Sequence, residues 1–130
     1  MNAEKTGLNL DRLCAQYGWE MARQVHETLG KNAENHITKS LGVLQEDGVY
    51  AFFLYQRSRS DGNLGQRAAN LLADEKIDLL AKDTTDTDQA LAEIRKPNGL
   101  ADHIDALLLA KRLLEQALIY ARYHVKAMKA

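Results

Sequence analysis

The sequence predicts an all-α fold: a single-domain helical bundle over residues 1–130, of about five or six helices, closed by a long C-terminal helix. Three observations predict it. Pro97 is the only proline, while the strong helix formers Ala, Leu, Glu, Gln, Lys and Arg dominate. Apolar residues recur at spacings of three and four rather than two. With 45% hydrophobic and 27% charged residues, a chain of 130 residues has the composition and size to bury one core.

The first helix is predicted over residues 8–29, where Leu10, Leu13, Cys14, Tyr17, Met21 and Val25 form one face. Gly18 costs such a helix about 1 kcal/mol, so it is expected to permit the close approach of a neighbour; Gly30 stops the helix. Residues 33–44 form a second, short helix with Ile37, Leu41 and Leu44 as its stripe, broken by Asp47 and Gly48. Asp47 is a candidate N-cap for a third helix over 49–57. That segment, VYAFFLYQ, is apolar enough for a strand, but a lone strand would have no pairing partner, so it reads as a buried helix.

Residues 58–65, SRSDGNLG, read as a loop. A fourth amphipathic helix is expected over 66–81, from Ala68, Leu71, Leu72, Ile77 and Leu80, and the polar run KDTTDTD then turns the chain. Thr87 or Asp88 starts a fifth helix through Arg95, which Pro97, Asn98 and Gly99 terminate. From Leu100 through Ile104, Leu107, Leu114, Leu118, Ala121 and Val125 to Met128, alternating spacings of four and three predict the final helix, its seam interrupted by Lys111. It would be about 45 Å long. Apolar residues off the seam, among them Leu108, Leu109 and Ile119, predict a central helix enclosed by the others, or one that also meets another subunit.

Catalytic and metal signatures are not found in the sequence. No pair among His26, His36, His103 and His124 has the i, i+4 spacing of a zinc-protease helix, none follows Glu at i−3, and one cysteine builds no thiolate site. Cys14, set among Leu10, Leu13 and Tyr17, reads as a small core residue. The DGNLG run at 61–65 has glycines but no preceding strand, as a phosphate loop requires. Asp74, Glu75 and Asp78 read as solvated surface charge. The expectation is a protein that binds without catalysing, with no cofactor. A single cysteine, no apparent signal segment and no apolar run of about 18 residues predict a cytoplasmic location without a membrane span.

A net charge of −1 excludes binding driven by bulk charge, so the placement of cations carries the reading. Arg57, Arg59 and Arg67 group around the glycine loop; Lys111, Arg112, Arg122, Lys126 and Lys129 follow the last helix; Lys39 lies on the second. Arg122, Lys126 and Lys129, at i, i+4 and i+7, share a face that suits a phosphate backbone, with Tyr120 and Tyr123 as neighbouring stacking surface. The same lysines also complement a helix C-terminus, which leaves spacing alone undecided.

Two stretches add to this. HITKSLGVLQEDGVYAFFLYQRS, residues 36–58, has a short helix, a glycine break and an apolar helix with Phe52 near its middle; LLEQALIYARYHVKAMKA, residues 113–130, carries Glu115, Ala117, Leu118, Tyr123 and Lys126 in an acidic-alanine-leucine start and an aromatic-then-basic ending. Together they resemble the small-subunit family of type III CRISPR RNA-guided effector complexes of the Cmr kind, over about a third of the chain. Tyr123 stands where that family tends to carry tryptophan. The resemblance implies a noncatalytic subunit in antiviral defence, stacking with copies of itself into a short filament and associating with other effector-complex subunits. It would contact guide RNA and target RNA, or a displaced strand, through the backbone, because guide pairing supplies sequence specificity. The alternative is a helical module that binds protein through the wide apolar face of the last helix, without nucleic acid.

Overall fold

Apolar periodicity becomes six α-helices in the described residues, with no strand among them: α1 (Ala3–Leu29), α2 (Ala33–Asp47), α3 (Val49–Arg59), α4 (Leu64–Ala73), α5 (Thr87–Arg95) and α6 (Ile104–Lys129). This computed structural model describes residues 3–59 and 64–129, with side chains over 10–59 and 64–128. Parts of the first helix before residue 10 and of the 58–65 loop therefore lie outside the described side chains, as does the side chain of Lys129. Within the described residues one continuous core joins all six helices, centred on Met21, Ile37, Phe52, Phe53, Leu72 and Leu118.

α1 and α6 form the axis. They run parallel: the Cys14 thiol donates to the Leu113 carbonyl at 3.5 Å, and one turn further along both helices Gly18 faces Ala117 and Ala121, while the long Tyr120 side chain reaches back to donate to the Asp11 carboxylate at 2.8 Å. Gly18 is the reason they approach so closely, because a Cβ there would stand 2.7 Å from the Ala117 carbonyl oxygen and 2.8 Å from Tyr120 Cβ. The expected role of Gly18 is met by backbone against backbone.

α2 lies antiparallel to α6, with Lys126 reaching Glu34 near the start of α2 and Lys111 donating to the Gln45 carbonyl near its end. α2 and α3 form a hairpin across a single residue, Gly48, whose φ of +96° a side-chain-bearing residue rarely adopts. Asp47 is thus the last residue of α2 rather than the N-cap of α3; Gly48 precedes α3 and its carbonyl accepts the Phe52 amide at 3.0 Å. Inside the hairpin, buried Gln56 donates to buried Ser40 at 2.7 Å. α5 packs antiparallel on α3, where Arg57 meets Asp88 and Arg95 meets the Tyr50 hydroxyl.

α1 to α3 run a few residues beyond their expected ends, so that Ser58, Arg59, Leu64 and Gly65 of the expected 58–65 loop are helical, whereas the fourth and last helices are cut short. The fourth helix stops at Ala73, not residue 81, because Asp74 diverts the backbone: its carboxylate accepts the Lys76 amide at 2.9 Å, its carbonyl accepts those of Ile77 and Asp78, and Tyr17 holds the same carboxylate at 2.9 Å. Asp78 then takes a φ of 55°, and the chain folds back so that the Leu79 and Leu80 amides both reach the Leu72 carbonyl. Leu80 is buried through this turn rather than along a helical face. The last helix begins at Ile104, not Leu100, since Leu100–Asp102 forms a separate tight turn tied back by Asp102 to the Asn98 amide. The start of α5 is as expected, and Asp86 caps it by accepting the Gln89 amide at 2.8 Å.

The fold also corrects the central-helix reading of α6. It buries Ala110, Leu114, Ala117, Leu118, Ala121 and Val125, but it is flanked by α1 and α2 rather than surrounded, and an outward stripe stays in solvent. Among the described residues, no helix is long and apolar enough to cross a membrane.

Candidate nucleic-acid interface

The predicted cations do not all share one surface. Around the glycine loop, Arg57 is drawn to Asp88 of α5 at 2.7 Å, and Arg67 is drawn the other way, to Glu20 at 3.6 Å and Gln24 at 2.9 Å on α1. Arg59 sits 5.7 Å from the Tyr55 ring centre. These three do not make one cluster. Lys39 is exposed on α2, but five residues beyond Glu34 it lies about 140° around the helix from the edge that meets α6. Lys111 donates to the Gln45 carbonyl at 3.1 Å and so satisfies the C-terminal end of α2.

What the fold does bring together is the outer surface of the α1–α6 pair. The Cys14 to Leu113 bond sets a register in which an α1 residue stands level with the α6 residue numbered 99 higher. Both helices bury one stripe on the shared core, so their exposed stripes face the same side. From α1 that side presents Arg12, Trp19 and Arg23; from α6 it presents Arg112, Tyr123 and Lys126, with Arg122 at the edge nearer α2. Arg12 is almost level with Arg112, and Arg23 with Arg122; the two levels are about 16 Å apart, and Trp19 stands between them.

Arg12, Trp19 and Arg23 are absent from the residues picked out by sequence. Their signal was present, because spacings of seven and four place them on one polar stripe of α1. Reading α1 only for its apolar face passed over it.

The electrostatics favour an anion here more than the net charge suggests. Residues 74–93 carry seven Asp or Glu against two lysines, which leaves 15 bases and 11 acids in the remainder of the chain. Asp74, which opens that segment, is on the far side: Tyr17, which holds it, and Trp19 project about 160° apart around α1. On the outer face, Arg12 and Arg112 have no acid within bridging distance among the described residues. Arg23 meets Glu27 at 3.4 Å and Lys126 meets Glu34 at 3.6 Å, but all four side chains are at least partly solvated. Such pairs contribute roughly 0–1 kcal/mol, so a phosphate can replace the acid at little cost. The Arg122 Nε is buried without a hydrogen-bond partner, while its guanidinium carbon lies 5.9 Å from the Tyr123 ring centre.

The remaining chemistry lies elsewhere. Cys14 is buried, and burial, followed by the nearby Asp11 carboxylate, pushes its thiol from 9.0 up to about 11, away from nucleophilic use. Among the described residues no group of three His, Cys, Asp or Glu is placed to hold a metal ion. An open cavity of about 400 Å³ beside Asp78, Asn98 and His103 also includes Glu93 and Lys96, which pair with each other at 3.1 Å.

Fold and face thus define an all-helical bundle with one basic, aromatic side. No family model, curated protein or solved structure matches the chain.

Proposed function

We propose that this protein is a noncatalytic small subunit of a cytoplasmic type III CRISPR effector complex, stacking with like subunits in antiviral defence and holding guide or target RNA, or a displaced strand, by its backbone. The observation that carries the binding half of this reading is the common outer face of Arg12, Arg23, Arg112, Arg122 and Lys126. Lysine and arginine neutralise phosphates without reading bases, which suits a subunit whose complex takes its specificity from guide pairing. Weak sites on successive copies act together, because each bound copy raises the effective concentration of the next. The sequence resemblance at residues 36–58 and 113–130 supplies the link to the effector complex.

The test is charge reversal of Arg112, Arg122 and Lys126 to Glu in the assembled complex. RNA retention should fall, and the dependence of log affinity on log salt should flatten by about 0.7 for each phosphate no longer neutralised, while helicity is unchanged. Unaltered retention and salt slope would defeat the reading.

A second reading, a protein-interaction module without nucleic acid, is favoured by Ile104 (67% exposed), Leu108 (53%) and Leu109 on the outer stripe of α6. The same charge reversal separates the two readings, since loss of protein assembly with RNA retention unchanged would support this one.

A further inference from the structure

Two large aromatic side chains lie outside a core that has room for Phe52 and Phe53 at full burial: Trp19 is 44% exposed and Tyr123 60%. Leaving an indole in water forgoes burial free energy, so each ring offers apolar area to something else. Both carry a guanidinium over the ring, Arg23 at 5.3 Å from Trp19 and Arg122 at 5.9 Å from Tyr123. The cations also stand on either side of Trp19 along the helix pair: Arg12 with Arg112 at one level, Arg23 with Arg122 at the other.

This order of cation, ring, cation discriminates between kinds of polynucleotide. A duplex turns its phosphates outward and keeps its base faces within the stack, so an exposed indole on a helical surface finds nothing to stack against. A-form RNA in addition hides its base edges in a deep major groove. A single strand presents unstacked base faces between successive phosphates, and every base has such a face, so stacking tolerates any sequence. A purely protein partner would account for the rings but not for cations at both levels around them.

We infer that the outer α1–α6 face holds a single-stranded polynucleotide, with a base stacked on Trp19 and the phosphates on either side taken by the two levels of cations; this rests on the reading above that the protein contacts nucleic acid. Stacking and phosphate neutralisation use groups that RNA and DNA share, so single-stranded RNA and DNA are expected to bind alike.

Trp19 is the only tryptophan, so intrinsic emission reports on this ring alone. The full chain is titrated into fluorescein-labelled oligouridylate, oligothymidylate and an RNA duplex of equal length, reading binding by anisotropy and ring contact by tryptophan emission. Both single strands should bind and change Trp19 emission, and the duplex should bind roughly tenfold or more weakly. Trp19→Ala should weaken single-strand binding by roughly five- to a hundredfold and Trp19→Phe by less, with circular dichroism unchanged. Duplex bound as tightly as single strand with Trp19 emission constant, or Trp19→Ala binding like the parent, overturns the inference and leaves backbone contact standing. If no oligonucleotide binds while charge reversal still strips RNA from the assembly, only the stacking role falls. If that reversal also has no effect, the nucleic-acid reading falls with it.

Discussion

The close approach at Gly18 can be tested against a glycine that differs only in its surroundings. In Gly18→Ala the new methyl would lie 2.7 Å from the Ala117 oxygen, 2.8 Å from Tyr120 Cβ and 3.2 Å from the Ala121 amide nitrogen. Two of these are backbone atoms of α6, which cannot rotate away, so α1 must move outward. Gly42, inside α2, has nothing within 4 Å of the same position. Both changes gain about 1 kcal/mol of helix propensity, whereas overpacking at position 18 costs about 1–3 kcal/mol. Gly42→Ala should therefore stabilise the fold by up to about 1 kcal/mol, and Gly18→Ala should leave it unchanged or weaken it by up to about 2 kcal/mol. Urea unfolding followed by circular dichroism measures both, and each kcal/mol corresponds to roughly 3–5 °C in Tm for a chain of this size. Equal gains from the two alanines would refute the close α1–α6 crossing, and with it the register that aligns Arg12 with Arg112.

Two further perturbations probe the interior. Ser40→Ala leaves the Gln56 amide buried without its 2.7 Å partner and should cost about 1–3 kcal/mol; in a double-mutant cycle, adding Gln56→Leu should recover part of that loss in the urea midpoint. Because the Cys14 thiol is raised from 9.0 to about 11 in the fold, both folded and unfolded chains hold the proton below pH 9 and only the unfolded chain releases it as pH rises toward 11. Its contribution is thus fully present below pH 9 and falls by about 2–3 kcal/mol by pH 11. Tyr17, raised by burial and by its bond to Asp74, adds a loss of the same sign only above pH 10. Urea midpoints at pH 8, 9 and 10 should decline less in Cys14→Ala than in the parent; identical slopes would contradict this assignment.

The legible part of the fold was whatever follows from periodicity and backbone chemistry. Apolar spacing located α1, α2 and the body of α6, the unbroken run VYAFFLYQ located α3, the boundary residues Thr87 and Pro97 located α5, and Gly18 announced a close neighbour because a mid-helix glycine is unfavourable without one. The illegible part depended on tertiary competition. Ala68 to Leu80 keeps helical spacing past residue 73, but Asp74 is gripped by Tyr17, 57 residues away in sequence, and its own carboxylate favours a turn. No local window contains that information. The site divided in the same way. Arg122 and Lys126 were visible as a helical pair, whereas Arg57 and Arg67 looked adjacent in sequence but are pulled to α5 and α1 by separate carboxylates. Arg12 and Arg112 became neighbours only through the parallel register of α1 and α6.

That register also answers the objection raised by a net charge of −1. Screening confines the field of a surface charge to about 8–10 Å at physiological ionic strength, so a polynucleotide on the α1–α6 face responds to the groups beside it and little to acids on the far side. Asp74 is held opposite Trp19 across the thickness of α1, so its charge does not oppose an anion on the outer face. A net charge near zero therefore says little about this face, because what an anion there meets is the local balance of charge, and outside the 74–93 segment that balance is 15 bases to 11 acids.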